Sequence, residues 1–388
     1  MGTLHVLRLC SVFEAHPSAV DAVGFDPVGG MQNHTANLTR CLDRLGWRQT
    51  VVTSRLGGDA GTSGLGSMGV VVRVGARTRL MRQLWAAASL PRVLARTRNV
   101  DLVHAHQGED VALLPLAWLT ARAHRCPLVV TVHCSMQHTV RGSSPRDLLL
   151  LHLGGLVERI VLRSAAAIIT LAEHTATRLV EGGIAPAKVH VVPSGFDPDL
   201  FAAPTADRFP FMGRPRVGYV GRVARQKSAH LAVQAFGRLQ TPAHLVVVGD
   251  GPDIVRVQRA IDALPPDTSV ALCGFCPHDD VPAVLRSLDV LVLPSTYEEL
   301  GSVLTEALAV GLPAVASDVG GVPEVLRDSG LLVPPGDVRA LAAALDAVLR
   351  DPELAAQLSA IGQVRARRYE WPRLARKVAR IYRDVLAT

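Results

Sequence analysis

Glu298 and Glu306 stand with seven residues between them in the stretch Pro294-Ser-Thr-Tyr-Glu-Glu-Leu-Gly-Ser-Val-Leu-Thr-Glu-Ala-Leu-Ala-Val-Gly311. Just before it, Asp289-Val-Leu-Val-Leu293 is a short apolar run suited to a strand buried on both faces, and Pro294 ends it. Gly301 or Ser302 then serves as N-cap for a helix through Val310, with Val303, Leu304, Ala307 and Leu308 on one side. The free N–H groups of such a helix start, at the positive end of its dipole, suit a phosphate or diphosphate. Carboxylates beside a phosphate cannot bind it, so their natural task is to accept hydrogen bonds from hydroxyl groups. The pattern fits a sugar nucleotide. Backbone N–H groups of Leu300, Gly301, Ser302 and Val303 would take the diphosphate, Glu306 the ribose hydroxyls and Glu298 the donor sugar. Taken alone, the two glutamates fit a solvated loop and helix surface as well.

Three further places carry chemistry. Gly221-Arg-Val-Ala-Arg-Gln-Lys227 follows an apolar run at 216–220 and sets two cations, Arg222 and Lys227, at a strand end. They suit a diphosphate, or simply a surface loop. Pro127-Leu-Val-Val-Thr-Val-His-Cys-Ser135 runs a strand into His133. Carboxyl ends of strands in a parallel sheet line the ligand crevice, so this imidazole could donate to a sugar hydroxyl or to charge developing on a leaving group. A structural role is the alternative, and His106, ending a similar run, is the weaker candidate. Gly29 and Gly30, in Asp26-Pro-Val-Gly-Gly-Met-Gln-Asn33, either let backbone approach a ligand or make an ordinary helix-entry turn.

The spacing of Glu298 and Glu306 resembles the Glu-x7-Glu signature of glycosyltransferase family 4, whose members are retaining enzymes of the GT-B fold. Where that family usually has Glu-Gly-Phe-Gly, this chain has Glu298-Glu-Leu-Gly301, which leaves the donor-sugar contact at Glu299 open. The resemblance implies an α/β chain of two Rossmann-like domains facing each other across a cleft. It implies diphosphate binding by Arg222 and Lys227, and a Thr-x-His role for His133. It also places Gly29 and Gly30 near the donor phosphates and the acceptor. The turns at Leu245-Val-Val-Val-Gly-Asp-Gly-Pro252 and Ala271-Leu-Cys-Gly-Phe275 match places where family members approach the nucleotide, which brings in Gly249, Gly274 and Phe275. No cofactor and no metal are implied, a UDP-sugar being the donor substrate. Within the family, the runs at 26–33, 131–135 and 274–282 are similar to actinomycete enzymes of aminoglycoside antibiotic assembly, of the kanamycin, gentamicin and tobramycin type. Those glycosylate 2-deoxystreptamine compounds such as paromamine or neamine. A polycationic acceptor of that kind would want carboxylates, for which Asp21, Asp26, Glu109 and Asp110 are candidates unless they are solvated loop residues.

The elements that must position these groups follow from the whole chain. At 388 residues two domains are expected, and 48 % hydrophobic against 19 % charged residues argues for compact globular packing. The expected division is 1–193 for the acceptor domain, 194–213 for a linker, 214–370 for the sugar-nucleotide domain, and 371–388 for a helix crossing back. No apolar run spans a membrane without charge, and the arginine in His5-Val-Leu-Arg-Leu9 argues for a first strand rather than a signal peptide, so a cytoplasmic protein is expected. Six cysteines without a regular framework fit a reducing compartment, and Cys273-Gly-Phe-Cys276 lacks the second pair a metal or redox site needs. Gly64-Leu-Gly-Ser-Met-Gly69 matches the dinucleotide fingerprint but leads into a strand instead of a helix, and is read as a decoy. A basic helix at 77–98 is expected on the outside of the first domain. It keeps open an alternative, a peripheral-membrane enzyme of the same family acting on a lipid. Net charge +7, carried almost wholly by arginine, keeps open a second, a non-catalytic nucleic-acid binder. Scattered arginines and 4 % aromatic residues speak against it.

Overall fold

The structure, a computed structural model, describes residues 4–13, 30–55, 61–75, 84–96, 99–108, 110, 112–133 and 145–387. The chain forms two compact units, one from Met1–Pro193 with Trp371–Thr388 and the other from Ser194–Glu370.

In the first unit the strands are β1 His5–Cys10, β2 Arg48–Ser54, β3 Gly61–Leu65, β4 Gly69–Val74, β5 Leu102–Gln107, β6 Leu128–Val132, β7 Ala167–Thr170 and β8 Val189–Val191. They lie in the order β3-β4-β2-β1-β5-β6-β7-β8, parallel except for the antiparallel pair β3/β4. The fingerprint-like glycines form the turn of that hairpin, where Asp43 accepts from the backbone N–H groups of Ser67 and Met68, each at 2.7 Å. Side chains alternate across a strand, so β1, β5 and β6 each present one set to each face. On one face Leu7, Leu9, Val103, Ala105, Val130 and Val132 join a wholly apolar core. On the other, Val6, Leu102 and Val129 pack under the helices Gly30–Arg44 and Trp371–Ala387, and the residues that follow them on that face are polar. The last helix is amphipathic, burying Trp371, Leu374, Val378 and Tyr382 in this unit.

The second unit holds β9 Arg216–Val220, β10 His244–Val248, β11 Val270–Gly274, β12 Val290–Leu293, β13 Ala314–Ser317 and β14 Gly330–Val333, all parallel, in the order β11-β10-β9-β12-β13-β14. Order reverses between β9 and β12, and in open parallel sheets that switch point is where ligands bind. Strands such as Val290-Leu-Val-Leu293 are buried along their whole length, as the apolar run requires. Helices on either side start on real caps: Asp337 accepts from Arg339 and Ala340, and Asp351 from Glu353 and Leu354 ahead of a Pro at the first turn.

Residues 194–213, the expected linker, group with the second unit. The reason is Arg216, 2 % exposed, whose guanidinium pairs with Asp207 at 2.7 Å and donates to the carbonyls of Phe209, Met212 and Gly213. Of the helix expected at 77–98, the described residues Leu84–Arg96 are helical and carry Pro91 inside the helix; the remaining positions lie outside the described residues. No helix among the described residues is long and apolar enough to cross a membrane.

Candidate functional site

At the switch point of the second unit, the loop after β9 and the loop after β12 are tied together. Thr296 donates its backbone N–H to the carbonyl of Gln226 at 2.8 Å. Beside it, the ammonium of Lys227 meets both carboxylate oxygens of Glu298, each at 2.7 Å, and the Ser295 hydroxyl donates to Oε1 at 2.7 Å. Glu298 is only 4 % exposed, so it is a buried carboxylate that this cation and hydroxyl satisfy. Two residues expected to serve different parts of a ligand therefore form one ion pair. Lys227 ends a single 3-10 turn, Arg225–Lys227, which delivers its side chain back across the strand ends. Arg222 lies on the same loop, half-buried, with its carbonyl accepting from the Tyr219 hydroxyl at 2.8 Å.

The helix Ser302–Val310 follows β12 as expected. Gly301 is its N-cap in the left-handed region, at φ 80, where glycine is the unstrained choice. Among the described residues no side chain caps this helix, which leaves its first N–H groups suited to another acceptor. Leu300 is buried, Ser302 and Val303 are half-buried, and Glu306 projects one turn in at 8 % exposure. Glu306 Oε1 lies 3.0 Å from His278 Nε2. His278 was not among the expected site residues. It sits in the Pro-His-Asp-Asp turn after β11, and its link to Glu306 depends on a fold contact that local spacing does not encode.

Glycines let the neighbouring loops close up. Gly249, at φ 134, follows β10 so tightly that a Cβ there would stand 1.9 Å from the Gly221 carbonyl oxygen. Its N–H donates to the Gly274 carbonyl at 2.7 Å, so Gly221, Gly249 and Gly274 bring three successive strand ends together. Phe275, next along, is 39 % exposed. Cys273 and Cys276 are free thiols there, with Cys276 bonded to the Pro277 carbonyl.

His133 belongs to the first unit, at the carboxyl end of β6, and the structure buries it to 8 % exposure in a polar cluster. The centre of the cluster is Arg8, wholly buried on β1. It reaches His104 Nδ1 at 3.2 Å, His106 Nε2 at 2.7 Å, Gln49 Oε1 at 2.8 Å and the Tyr382 hydroxyl at 3.4 Å. His106 Nδ1 lies 3.0 Å from His133 Nε2, and His34 meets His133 edge-on at a centroid distance of 4.6 Å. Burial holds all four imidazoles well below their ordinary range, His133 at about 3, and the Arg8 charge adds to this for His34, His104 and His106. They are neutral at pH 7. Arg8, His34 and His104 were not expected; a charge on β1 and two histidines were the visible signs.

The remaining expected residues fare differently. Gly30 opens its helix and is exposed. Asp110 is 5 % exposed and spends its carboxylate on the Trp85 indole N–H and the Ala112 backbone N–H, which corrects the picture of a carboxylate available to an acceptor. Gly29, Asp21, Asp26 and Glu109 lie outside the described residues.

Comparison with known proteins now identifies the architecture. Residues 28–200 match the Glycosyltransferase Family 4 domain and residues 206–365 the Glycosyl transferases group 1 domain. A 2-deoxystreptamine glucosyltransferase of Streptomyces kanamyceticus is 36 % identical over 354 residues, covering 83 % of this chain and 90 % of that protein. A 2-deoxystreptamine N-acetyl-D-glucosaminyltransferase of Streptomyces fradiae is 35 % identical, covering 90 % and 89 %. Among solved structures, sucrose-phosphate synthase from Thermosynechococcus elongatus superposes with a TM-score of 0.84 at 23 % identity, over 99 % of each chain. Anabaena Alr3699/HepE in complex with UDP-glucose gives 0.74 at 19 %, covering 97 % and 98 %. With two parallel Rossmann-like sheets, matching domains along nearly its whole length and relatives this similar, the chain belongs to the family 4 glycosyltransferases of the GT-B fold.

Proposed function

We propose that the protein transfers a hexosyl or amino-sugar group from a UDP-sugar to a 2-deoxystreptamine-containing acceptor of the paromamine or neamine type, with retention and without a bound metal. The acceptor class rests on the two Streptomyces relatives. What carries the donor reading is the constellation at the β9/β12 switch point: Lys227 and Arg222 on one loop, Glu298 on the other, Glu306 one turn into the helix that follows, and that helix's N-terminus between the two glutamates.

In this reading Arg222, Lys227 and the N–H groups at 300–303 hold the diphosphate, Glu306 the ribose and Glu298 the donor sugar, while Gly249, Gly274 and Phe275 border the nucleotide. An acceptor hydroxyl attacks the anomeric carbon from the face the leaving group departs. The bond from that carbon to the diphosphate oxygen breaks, the new glycosidic bond forms, and the hydroxyl proton passes to the departing phosphate oxygen. In the same reading His133 donates a hydrogen bond to a sugar hydroxyl. Preorganised donors of this kind are commonly worth about 3 kcal/mol each in the transition state. In this reading the enzyme works in the cytoplasm without stable membrane association.

The test is mass spectrometry of products from a panel of UDP-sugars offered with 2-deoxystreptamine, paromamine and neamine, with the anomeric configuration of the new linkage read by proton NMR. A glycosylated aminocyclitol whose new linkage has the donor's anomeric configuration, formed in the presence of a chelator, supports the proposal. Transfer only to lipid acceptors, or an inverted linkage, refutes it.

A further inference from the structure

Three nitrogens of His34, His106 and His133 lie within 4.8 Å of one another, which invites a metal. The hydrogen-bond chemistry of Arg8 argues otherwise. A guanidinium has only donors, so His106 Nε2, 2.7 Å from Arg8, must be a lone pair. His106 is neutral and buried, so its proton is on Nδ1, and that N–H points at His133 Nε2, 3.0 Å away. His133 Nε2 is then an acceptor, and the only place left for the proton of its own neutral ring is Nδ1. A cation seated at Nδ1 of His106 would have to displace that proton within reach of a fixed positive charge.

We propose that Arg8 and His106 are positioning residues that lock His133 in its Nδ1–H tautomer, so that the ring offers a fixed donor at the carboxyl end of β6. The supports of the relay are themselves locked. Gln49 donates its amide to the Thr39 carbonyl at 2.7 Å, which turns its oxygen to Arg8. His104 accepts from Arg8 on Nδ1 and so donates from Nε2 to the Thr131 hydroxyl at 2.7 Å, two residues before His133 on the same face of β6. Tyr382, on the last helix, closes the cluster at 2.6 Å from His104. In water a neutral imidazole favours the other tautomer, Nε2–H, so the arrangement has to be imposed. Its catalytic use rests on the proposed function, in which His133 donates toward the donor sugar; its existence does not.

The experiment is 15N NMR of the full chain labelled at histidine, with His133 assigned by its loss in His133→Gln. The expected result is a neutral Nδ1–H ring, unchanged from mildly acidic to mildly basic pH. Two variants separate wiring from packing. His106→Asn keeps an amide donor where Nδ1 stood and should retain the Nδ1–H signature. His106→Gln turns its amide toward Arg8 and should release His133 to Nε2–H, with kcat lowered about tenfold or more relative to the Asn variant. An Nε2–H ring in the parent overturns the proposal, as does an Nδ1–H ring that survives in His106→Gln. Zinc that shifts His34, His106 and His133 together at stoichiometric amounts overturns it in favour of a metal site. A chain with the expected tautomer that transfers no sugar would sink the proposed function and leave the relay standing.

Discussion

Acid should unfold the first unit long before it touches the carboxylates. His34, His104, His106 and His133 are held neutral by burial, with their folded values far below the ordinary 6.5. Above about pH 6.5 neither folded nor unfolded chain protonates them, and their neutral burial is no penalty. Below it the unfolded chain takes up four protons that the folded unit refuses, so stability falls as pH falls, down to the folded values, about 3 for His133. Each group removes roughly 1.4 kcal/mol per pH unit, so the four together remove on the order of 5 kcal/mol by about pH 5.5. A domain has only about 5 to 15 kcal/mol to lose. All four tryptophans of the chain, Trp47, Trp85, Trp118 and Trp371, belong to this unit, so their fluorescence follows it alone. With a urea m-value of about 2 kcal/mol/M, the fluorescence midpoint should drop by roughly 2 M between about pH 7.5 and about pH 5.5. A midpoint that stays put over that interval would refute the reasoning, because it would require the cluster to accept protons beside Arg8 without cost.

Other predictions concern the second unit. Lys227→Met strands the buried Glu298 carboxylate and should cost about 2 to 4 kcal/mol in thermal unfolding, while the double variant with Glu298→Gln recovers most of that stability but not transfer; a single variant as stable as the parent contradicts the pairing. Arg222→Ala should lower kcat by on the order of 100-fold with little change in melting temperature, and equal turnover would remove Arg222 from the site. Gly249→Ala drives a Cβ into the Gly221 carbonyl and should cost on the order of 3 kcal/mol, whereas Gly274→Ala, also at positive φ but facing open space, should cost about 1 kcal/mol in the same urea titration by circular dichroism.

The sheets and their order of elements were legible because parallel strands buried on both faces must be apolar runs, and because glycine and proline mark where each run stops. The switch-point loops were legible too, since Gly221 to Lys227 and Pro294 to Gly301 follow such runs directly. Partnerships were not. Lys227 and Glu298 are 71 residues apart, and only the adjacency of β9 and β12 makes them neighbours. Arg8 read only as a charge that favours a first strand over a signal peptide; its burial becomes tolerable once β1 pairs with β5, setting it opposite His104. The same alternation that exposes Leu102 to one core carries His104 and His106 to the same face, a period-two pattern visible in Leu102-Val-His-Ala-His106 but mute about depth. Asp110 misled because an acidic residue after a strand looks solvated, while an indole 25 residues upstream claims it.

The pairing at the switch point also bears on how the donor is held. Lys227 has three N–H donors, and Glu298 engages it through both oxygens, so under the proposed function a diphosphate would share the ammonium with a carboxylate it repels. Glu298→Gln removes the repulsion and loosens the grip on Lys227, while the amide remains a weaker acceptor for a sugar hydroxyl. UDP alone should then bind more tightly than to the parent, by roughly fivefold for a gain of about 1 kcal/mol. Turnover of the UDP-sugar should fall, since the contact that strengthens at the reacting sugar is the one weakened. Calorimetry with UDP and steady-state kinetics with the sugar nucleotide would move in opposite directions. If both decline together, Glu298 supports the loop instead of competing for Lys227, and the division of labour between the two residues has to be redrawn.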